Sequence, residues 1–379
     1  MPLAAAVVGT GFIGPVHVEA LRRLGIPVRG VLGSNPQKSI AAARSMRLDR
    51  GYESFAQLLD DPLVDVVHIA SPNRWHFEQC RAALIAGKHV VCEKPLAMTS
   101  KQSEELVRLS AERPRQLAAV CHNIRYYPLN QEAKTRLPAL GKVHHISGSY
   151  VQDWLLNDSD FNWRILSAEG GPLRAVADIG THWIDLVQHV AGLKIESVCA
   201  DLATCIPVRQ AQSAETFSQK TNLHDEPQPV RIDTEDTGNV LLRFANGATG
   251  VFHVSQVTAG RKNCLRYEIS AATGSMAWNS ERPDELWIGR RERINESLLR
   301  DPSLLSTSAR AYSDFPGGHA EGFPDSFKQL FKATYQCLDN VTIGLPSAYP
   351  TFADGHREML LCDAILRSHR ERRWIDVAE

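Results

Sequence analysis

At 379 residues the chain is longer than one ordinary core and fits two domains, and a hydrophobic content of 43% is ample to build them. Forty-two Lys and Arg against 43 Asp and Glu leave a formal net charge of -1, so the overall balance calls for neither a nucleic acid nor an anionic membrane as partner. The longest apolar runs, such as Leu3–Val8 and Val64–Ile69, are strand-sized and far short of the roughly 20 residues of a membrane span.

The first residues carry no basic region and lead straight into a glycine motif, which reads as a buried first strand rather than a signal peptide; a cytoplasmic protein is expected. After the strand ending at Val8 come a helix from about Pro15 to Leu24, a strand Val28–Leu32, and a helix containing Ala41–Ala43. The run ending at Ile69, a helix over 75–86, a strand His89–Cys92, a helix near 100–112 and a strand near Leu117–Cys121 continue the order. Short apolar runs alternating with helices are the pattern of a parallel sheet covered on both faces. With Gly9-x-Gly11-x-x-Gly14 between its first strand and first helix, this pattern predicts a dinucleotide-binding domain over 1–121, followed by a second domain over 122–379.

Beyond residue 121 the rhythm changes. Val143–Tyr150, Val198–Cys205, Thr237–Phe244, Thr249–Val257 and Leu265–Ser270 have the β-branched content of strands in a mostly antiparallel sheet. Gly180–Val190, Ser326–Leu338 and Gly355–Ser368 read as helices, and 206–236 and 298–322 as long loops. The eight cysteines include no Cys-x-x-Cys pair and no Cys/His cluster of metal spacing, so most are expected buried, with neither disulfides nor a metal.

The glycines of Gly9-Thr10-Gly11-Phe12-Ile13-Gly14 have separate jobs: a tight turn, a close approach of backbone to pyrophosphate, and close packing of helix on strand. With Phe12 and Ile13 they lie between a strand and a helix, whose free N–H groups then meet the pyrophosphate. A site for an unphosphorylated ribose usually carries an acid at the end of the second strand, and here Ser34-Asn35 stand there instead. Ser34 and Asn35 suit a hydroxyl or a phosphate, and Lys38 is either a phosphate partner or a solvated surface residue, so the cofactor is NAD or NADP. Ser71, Asn73 and His76 follow the strand ending at Ile69, at the edge where ligands of such sheets bind; they read as contacts to ribose and pyrophosphate or as helix-start residues.

Glu93-Lys94-Pro95 falls just past the next strand end. Proline keeps Lys94 extended and out of a helix, so that it can donate to a substrate oxygen, with Glu93 beside it to offset any loss of its charge. Asp178, His182 and Asp185 are spaced to share one side of a helix. A carboxylate beside His182 fixes its tautomer and holds the imidazolium, while Asp185 can serve only to tie the helix down. His182 then reads as general base in the oxidation direction, helped by Asp178, and Lys94 as donor to the same oxygen; exchange of the proton-carrying role between Lys94 and His182 stays open.

These motifs, with Ala86-Gly87-Lys88-His89-Val90, resemble the glucose-fructose oxidoreductase, inositol dehydrogenase and rhizopine catabolism family over nearly the whole chain. The resemblance implies a nicotinamide-dependent hydride transfer on a sugar-like alcohol or ketone. It matches Lys94, Asp178 and His182 to the family's catalytic lysine, aspartate and histidine, and implies an open sheet in the second domain that covers the substrate and makes contacts in a homodimer or homotetramer. It also brings His122, Arg125 and Tyr126 into the crevice, Trp163 and Arg164 toward nicotinamide and substrate, and His319 toward a sugar hydroxyl, with Trp163 equally readable as core. The alternatives are a regulatory dinucleotide-binding protein without turnover and a glycosidase that uses transient oxidation by NAD.

Overall fold

In the computed structural model, which describes residues 3–211, 228–340 and 349–378, the chain divides into two units. One is Met1–Asn123 with Phe323–Met359, the other Ile124–Gly322 with Leu360–Glu379.

The first unit is a five-stranded parallel sheet of order β2-β1-β3-β4-β5. Its strands are Ala5–Val8 (β1), Val28–Leu32 (β2), Val66–Ile69 (β3), His89–Cys92 (β4) and Ala118–Val120 (β5). Four apolar residues in a row make β1 and leave it buried at every position, as a strand covered on both faces requires. The intervening helices are Ile13–Arg23 (α1), Pro36–Ser45 (α2), Phe55–Leu59 (α3), His76–Ile85 (α4) and Ser100–Ala111 (α5). Asn35, Ser54 and Thr99 cap α2, α3 and α5, each side-chain oxygen accepting a backbone N–H of the first turn.

The second unit opens with Pro128–Arg136 (α6) and Val143–Val151 (β6), followed by the short helix Ser167–Gly170 (α7), a π-helical turn Val176–Gly180 and Thr181–Ala191 (α8). Then come Ile195–Ala203 (β7), the pair Val208–Ala211 (β8) and Gln228–Arg231 (β9), Thr237–Phe244 (β10), Thr249–Ser255 (β11) and Cys264–Ala271 (β12). Gly274–Asn279 (β13), Glu285–Gly289 (β14), Glu296–Leu299 (β15) and the short helix Thr307–Arg310 (α9) complete this run. The last elements of the chain are Phe323–Asn340 (α10), in the first unit, Phe352–Glu371 (α11), which runs from the first unit into the second, and Ile375–Asp376 (β16). Nine strands form one sheet of order β15-β14-β13-β12-β6-β11-β10-β7-β16, antiparallel except for the β6–β11 pair.

Along β10 buried and exposed residues alternate, the period-two signature of a sheet with one covered face. That face receives Trp183 of α8, fully buried, stacked on Phe252 at 4.8 Å and donating its indole N–H to the Arg266 carbonyl at 2.9 Å. Gly148 makes the fit: a Cβ there would sit 2.5 Å from the indole nitrogen.

Three differences from the sequence reading have physical reasons. Strands β13 to β15 are absent from it because each is only four to six residues long, and Pro283 and the charged run Arg290–Arg293 break up the alternation. The ends of the loop expected over 206–236 pair as β8 and β9, while 212–227 lie outside the described residues. A division into consecutive blocks at 121/122 could not include the return of Phe323–Met359 to the first unit. There Phe323 stacks on Phe12 at 6.3 Å and Asp325 accepts from Arg23 at 2.6 Å. Cys80, Cys92, Cys121, Cys264 and Cys362 are buried, as small hydrophobes. Among the described residues no helix is long and apolar enough to cross a membrane.

Candidate active site

Between β1 and α1 the three glycines divide the work as their spacing predicts. Gly9 has φ +105° and passes so close to β3 that a Cβ would lie 2.2 Å from the Ala70 carbonyl oxygen. A Cβ on Gly14 would lie 2.0 Å from the Gly9 carbonyl oxygen, so the helix can pack this tightly only without a side chain. At Gly11 nothing stands within 4 Å of the Cβ position, which leaves an open approach to the backbone. Phe12 ends its side chain in solvent at 56% exposure, Ile13 is half-buried, and no side chain caps the N-terminus of α1. A pinched turn, an open glycine and uncapped helix N–H groups fit a pyrophosphate, and with it a dinucleotide.

At the end of β2, Ser34, Asn35 and Lys38 are exposed and no acid is present. Asn35 uses its side-chain oxygen on the Lys38 N–H at 2.8 Å, so it shapes the start of α2. Past β3, Ser71 donates to Gln79 Oε1 at 2.6 Å and Asn73 begins a single 3-10 turn, half-buried. His76, expected as a cofactor contact, is 1% exposed, and its ring nitrogens lie 2.8 Å from the carbonyl oxygens of Pro95 and Ser71, between two strand-end loops.

Lys94 is half-buried immediately after β4, and Glu93 is buried with its Oε1 3.1 Å from His17 Nε2. Burial alone would raise the Glu93 carboxyl. The His17 hydrogen bond, helped by the Lys94 charge, outweighs it and holds the group below the usual carboxylate range.

In the second unit Asp178 lies in the π-helical turn, and α8, which carries His182, begins at Thr181. The regular helix expected through both residues is therefore corrected. A π turn widens the spiral just where the aspartate projects, a feature common at functional sites and invisible to a period of 3.6. Asp178 is held on both oxygens: Gln256 Nε2 donates to Oδ2 at 2.9 Å and Arg164 Nε lies 3.4 Å from Oδ1. The guanidinium of Arg164 also covers the Trp163 ring at 4.5 Å, and both residues are half-exposed, which takes Trp163 out of the core. His182 is half-buried, its ring 6.1 Å from that of Tyr150.

Gln256 was missed by the motif search, although a signal exists. It continues the inward register Gly250, Phe252, Val254, and at 1% exposure it is a polar residue in an apolar row. Asp185 is the anchor its spacing allowed, buried and accepting a two-pronged contact from Arg125, with Nε to Oδ2 at 2.7 Å and the second prong from Nη2. Arg125, expected at the substrate, spends its fork there. Tyr126 is buried edge-on to Tyr312 at 5.4 Å, and His122, in the first unit, is 1% exposed with Nε2 3.1 Å from Glu358 Oε2. His319 is exposed on a loop whose carbonyls, its own included, are gathered by the buried Arg300.

Residues 3–120 match the oxidoreductase family with an NAD-binding Rossmann fold, and residues 134–277 match the GFO/IDH/MocA C-terminal domain. The chain belongs to the GFO/IDH/MocA oxidoreductase family. Levoglucosan dehydrogenase of Pseudarthrobacter phenanthrenivorans is 31% identical over 100% of this chain and 98% of its own. A solved levoglucosan dehydrogenase in complex with NADH and levoglucosan is similar over 100% of both chains, with TM-score 0.88 and 28% identity. An oxidoreductase domain protein from Kribbella flavida gives TM-score 0.89 and 26% identity, again over 100% of both chains. As a GFO/IDH/MocA protein the chain is a nicotinamide-dependent oxidoreductase, with the Rossmann domain and the mostly antiparallel second domain of that family.

Proposed function

We propose that the chain interconverts a secondary alcohol and a ketone on a sugar-like molecule, an anhydrosugar, inositol or related polyol, with Lys94, Asp178 and His182 as its reacting groups. When bound, the nicotinamide supplies a hydride acceptor in one direction and a donor in the other. Gly9, Gly11, Gly14 and the start of α1 would hold its pyrophosphate, and Ser34, Asn35 and Lys38 would meet its ribose. His182 takes the hydroxyl proton in the oxidation direction, and Asp178, four residues before it, favours the imidazolium that results. Lys94 donates a hydrogen bond to the same oxygen and steadies the developing alkoxide. Trp163, Arg164 and His319 are the substrate-side contacts.

The observation that carries this reading is the double hold of Gln256 and Arg164 on Asp178. Two donors orient an acid four residues before a half-exposed histidine, which supports His182 as the general base. Full-length similarity to levoglucosan dehydrogenase supports the substrate class. Absorbance at 340 nm with NAD and with NADP, over levoglucosan, inositols and aldoses, tests it; reduced cofactor forms with at least one of these, and a flat trace with all of them contradicts the proposal. His182→Ala lowers turnover by about two orders of magnitude or more with cofactor affinity kept. Wild-type turnover in that variant removes the histidine from the mechanism.

A further inference from the structure

Behind Glu93, inside the first unit, the side chains of His17 on α1, His68 on β3 and Tyr335 on α10 form a line that the reaction itself does not explain. His17 and His68 are 0% exposed and Tyr335 is 7% exposed. The contacts run without a gap: Tyr335 Oη to His68 Nε2 at 3.0 Å, His68 Nδ1 to His17 Nδ1 at 3.1 Å, and His17 Nε2 to Glu93 Oε1 at 3.1 Å. Phe331 packs edge-on against both imidazoles, at 4.9 Å from His17 and 4.7 Å from His68, and Phe327 lies 5.4 Å from His17.

With both buried rings taken as neutral, proton counting gives every bond a direction. An ionised carboxylate only accepts, so His17 Nε2 carries a proton. With one proton on each ring, His17 Nδ1 is then an acceptor, and the proton between the rings belongs to His68 Nδ1. His68 Nε2 is left as an acceptor and takes the Tyr335 hydroxyl. All three protons point the same way, toward Glu93, and in such a chain each bond polarises the next. Burial holds His68 well below the usual histidine range and pushes the Tyr335 phenol up, in keeping with a neutral His68 ring and a protonated hydroxyl. The other groups around the carboxylate are Lys94, His76 and Cys121, whose thiol burial and then Glu93 push up. Cys121 with His17 and Glu93 brings ligand-type atoms within 4.8 Å of one another, so a metal ion is the competing occupant of this cluster.

We propose that Tyr335, His68 and His17 are positioning residues, a one-way hydrogen-bonded line that fixes the Glu93 carboxylate and so the lysine beside it. The proposal rests on the reading of Lys94 as the donor to the substrate oxygen. Its structural half does not. Nitrogen NMR of the full-length protein labelled at histidine shows His17 protonated at Nε2 and His68 at Nδ1; His68 protonated at Nε2, an imidazolium at His17, or a metal-bound His17 nitrogen would each overturn the line.

Its functional half is read in kcat. His17→Leu removes the donor to Glu93 and lowers kcat about tenfold, the loss of one charge-assisted hydrogen bond, with KM and NADH affinity unchanged. His17→Gln offers an amide N–H to Glu93 and an amide oxygen to His68, and returns kcat to within about threefold of wild type. Tyr335→Phe, which keeps the ring, lowers kcat about two- to threefold and shifts the His68 nitrogen resonances. If His17→Leu does not fold, as loss of NADH binding reports, the Tyr335→Phe and His17→Gln arms stand alone. Wild-type kcat in His17→Leu or, failing that, unmoved His68 resonances in Tyr335→Phe refutes the line even where Lys94→Ala is inactive. Wild-type turnover in Lys94→Ala refutes instead the reading it rests on.

Discussion

Three glycines with three different surroundings make the cofactor loop testable one residue at a time. Gly14 has no room for a methyl group, so Gly14→Ala forces α1 away from β1 and weakens both the fold and NADH binding. Gly11 has room in the protein alone, so Gly11→Val keeps the melting temperature and lowers NADH affinity about tenfold or more, because the added side chain fills the space the pyrophosphate needs. Equal NADH affinity in Gly11→Val, by fluorescence titration, contradicts this cradle. The glycines were legible because their spacing encodes backbone conformation directly. Gln256 and His17 were not, since their partners are 78 and 76 residues away and no local pattern announces such contacts.

At the scale of elements, the second unit hangs its histidine on α8, and Asp185 anchors that helix to Arg125. Asp185 is 4% exposed, so Arg125→Met strands a buried charge, and the urea midpoint falls by the equivalent of about 3 kcal/mol. A midpoint equal to wild type shows the pair to be idle. The parallel strands of the first unit were readable as short apolar runs punctuated by helices, because strands buried on both faces contain little else. The π turn at Val176–Gly180 was not, because Asp178 and His182 keep a spacing of four that an ordinary helix also explains.

Over the whole molecule, the open side of the nine-stranded sheet is the surface to watch. Leu241 pairs with Val251, Val251 with Ser147, Ser147 with Glu268, Glu268 with Ala277 and Ala277 with Trp287, a single lateral row on one face. Leu241, Val251 and Trp287 are 48%, 38% and 38% exposed, an apolar content that suits association of copies. A dimer or tetramer is expected by light scattering at micromolar concentration, and Leu241→Glu with Val251→Lys shifts it toward monomer; a wild-type monomer contradicts that use of the face. The return of Phe323–Met359 to the first unit belongs to this scale too, and sequence periodicity has no means of showing which sheet a late helix joins.

The central claim, that Lys94 and His182 serve one substrate oxygen, is tested most directly by a double-mutant cycle. Turnover is followed at 340 nm with NAD and levoglucosan, or with whichever polyol the wild type turns over, in Lys94→Ala, His182→Ala and the pair. Groups acting on one oxygen are not additive, so the double variant is predicted to lose little more than the worse single. A double variant whose loss equals the product of the two single losses contradicts the account.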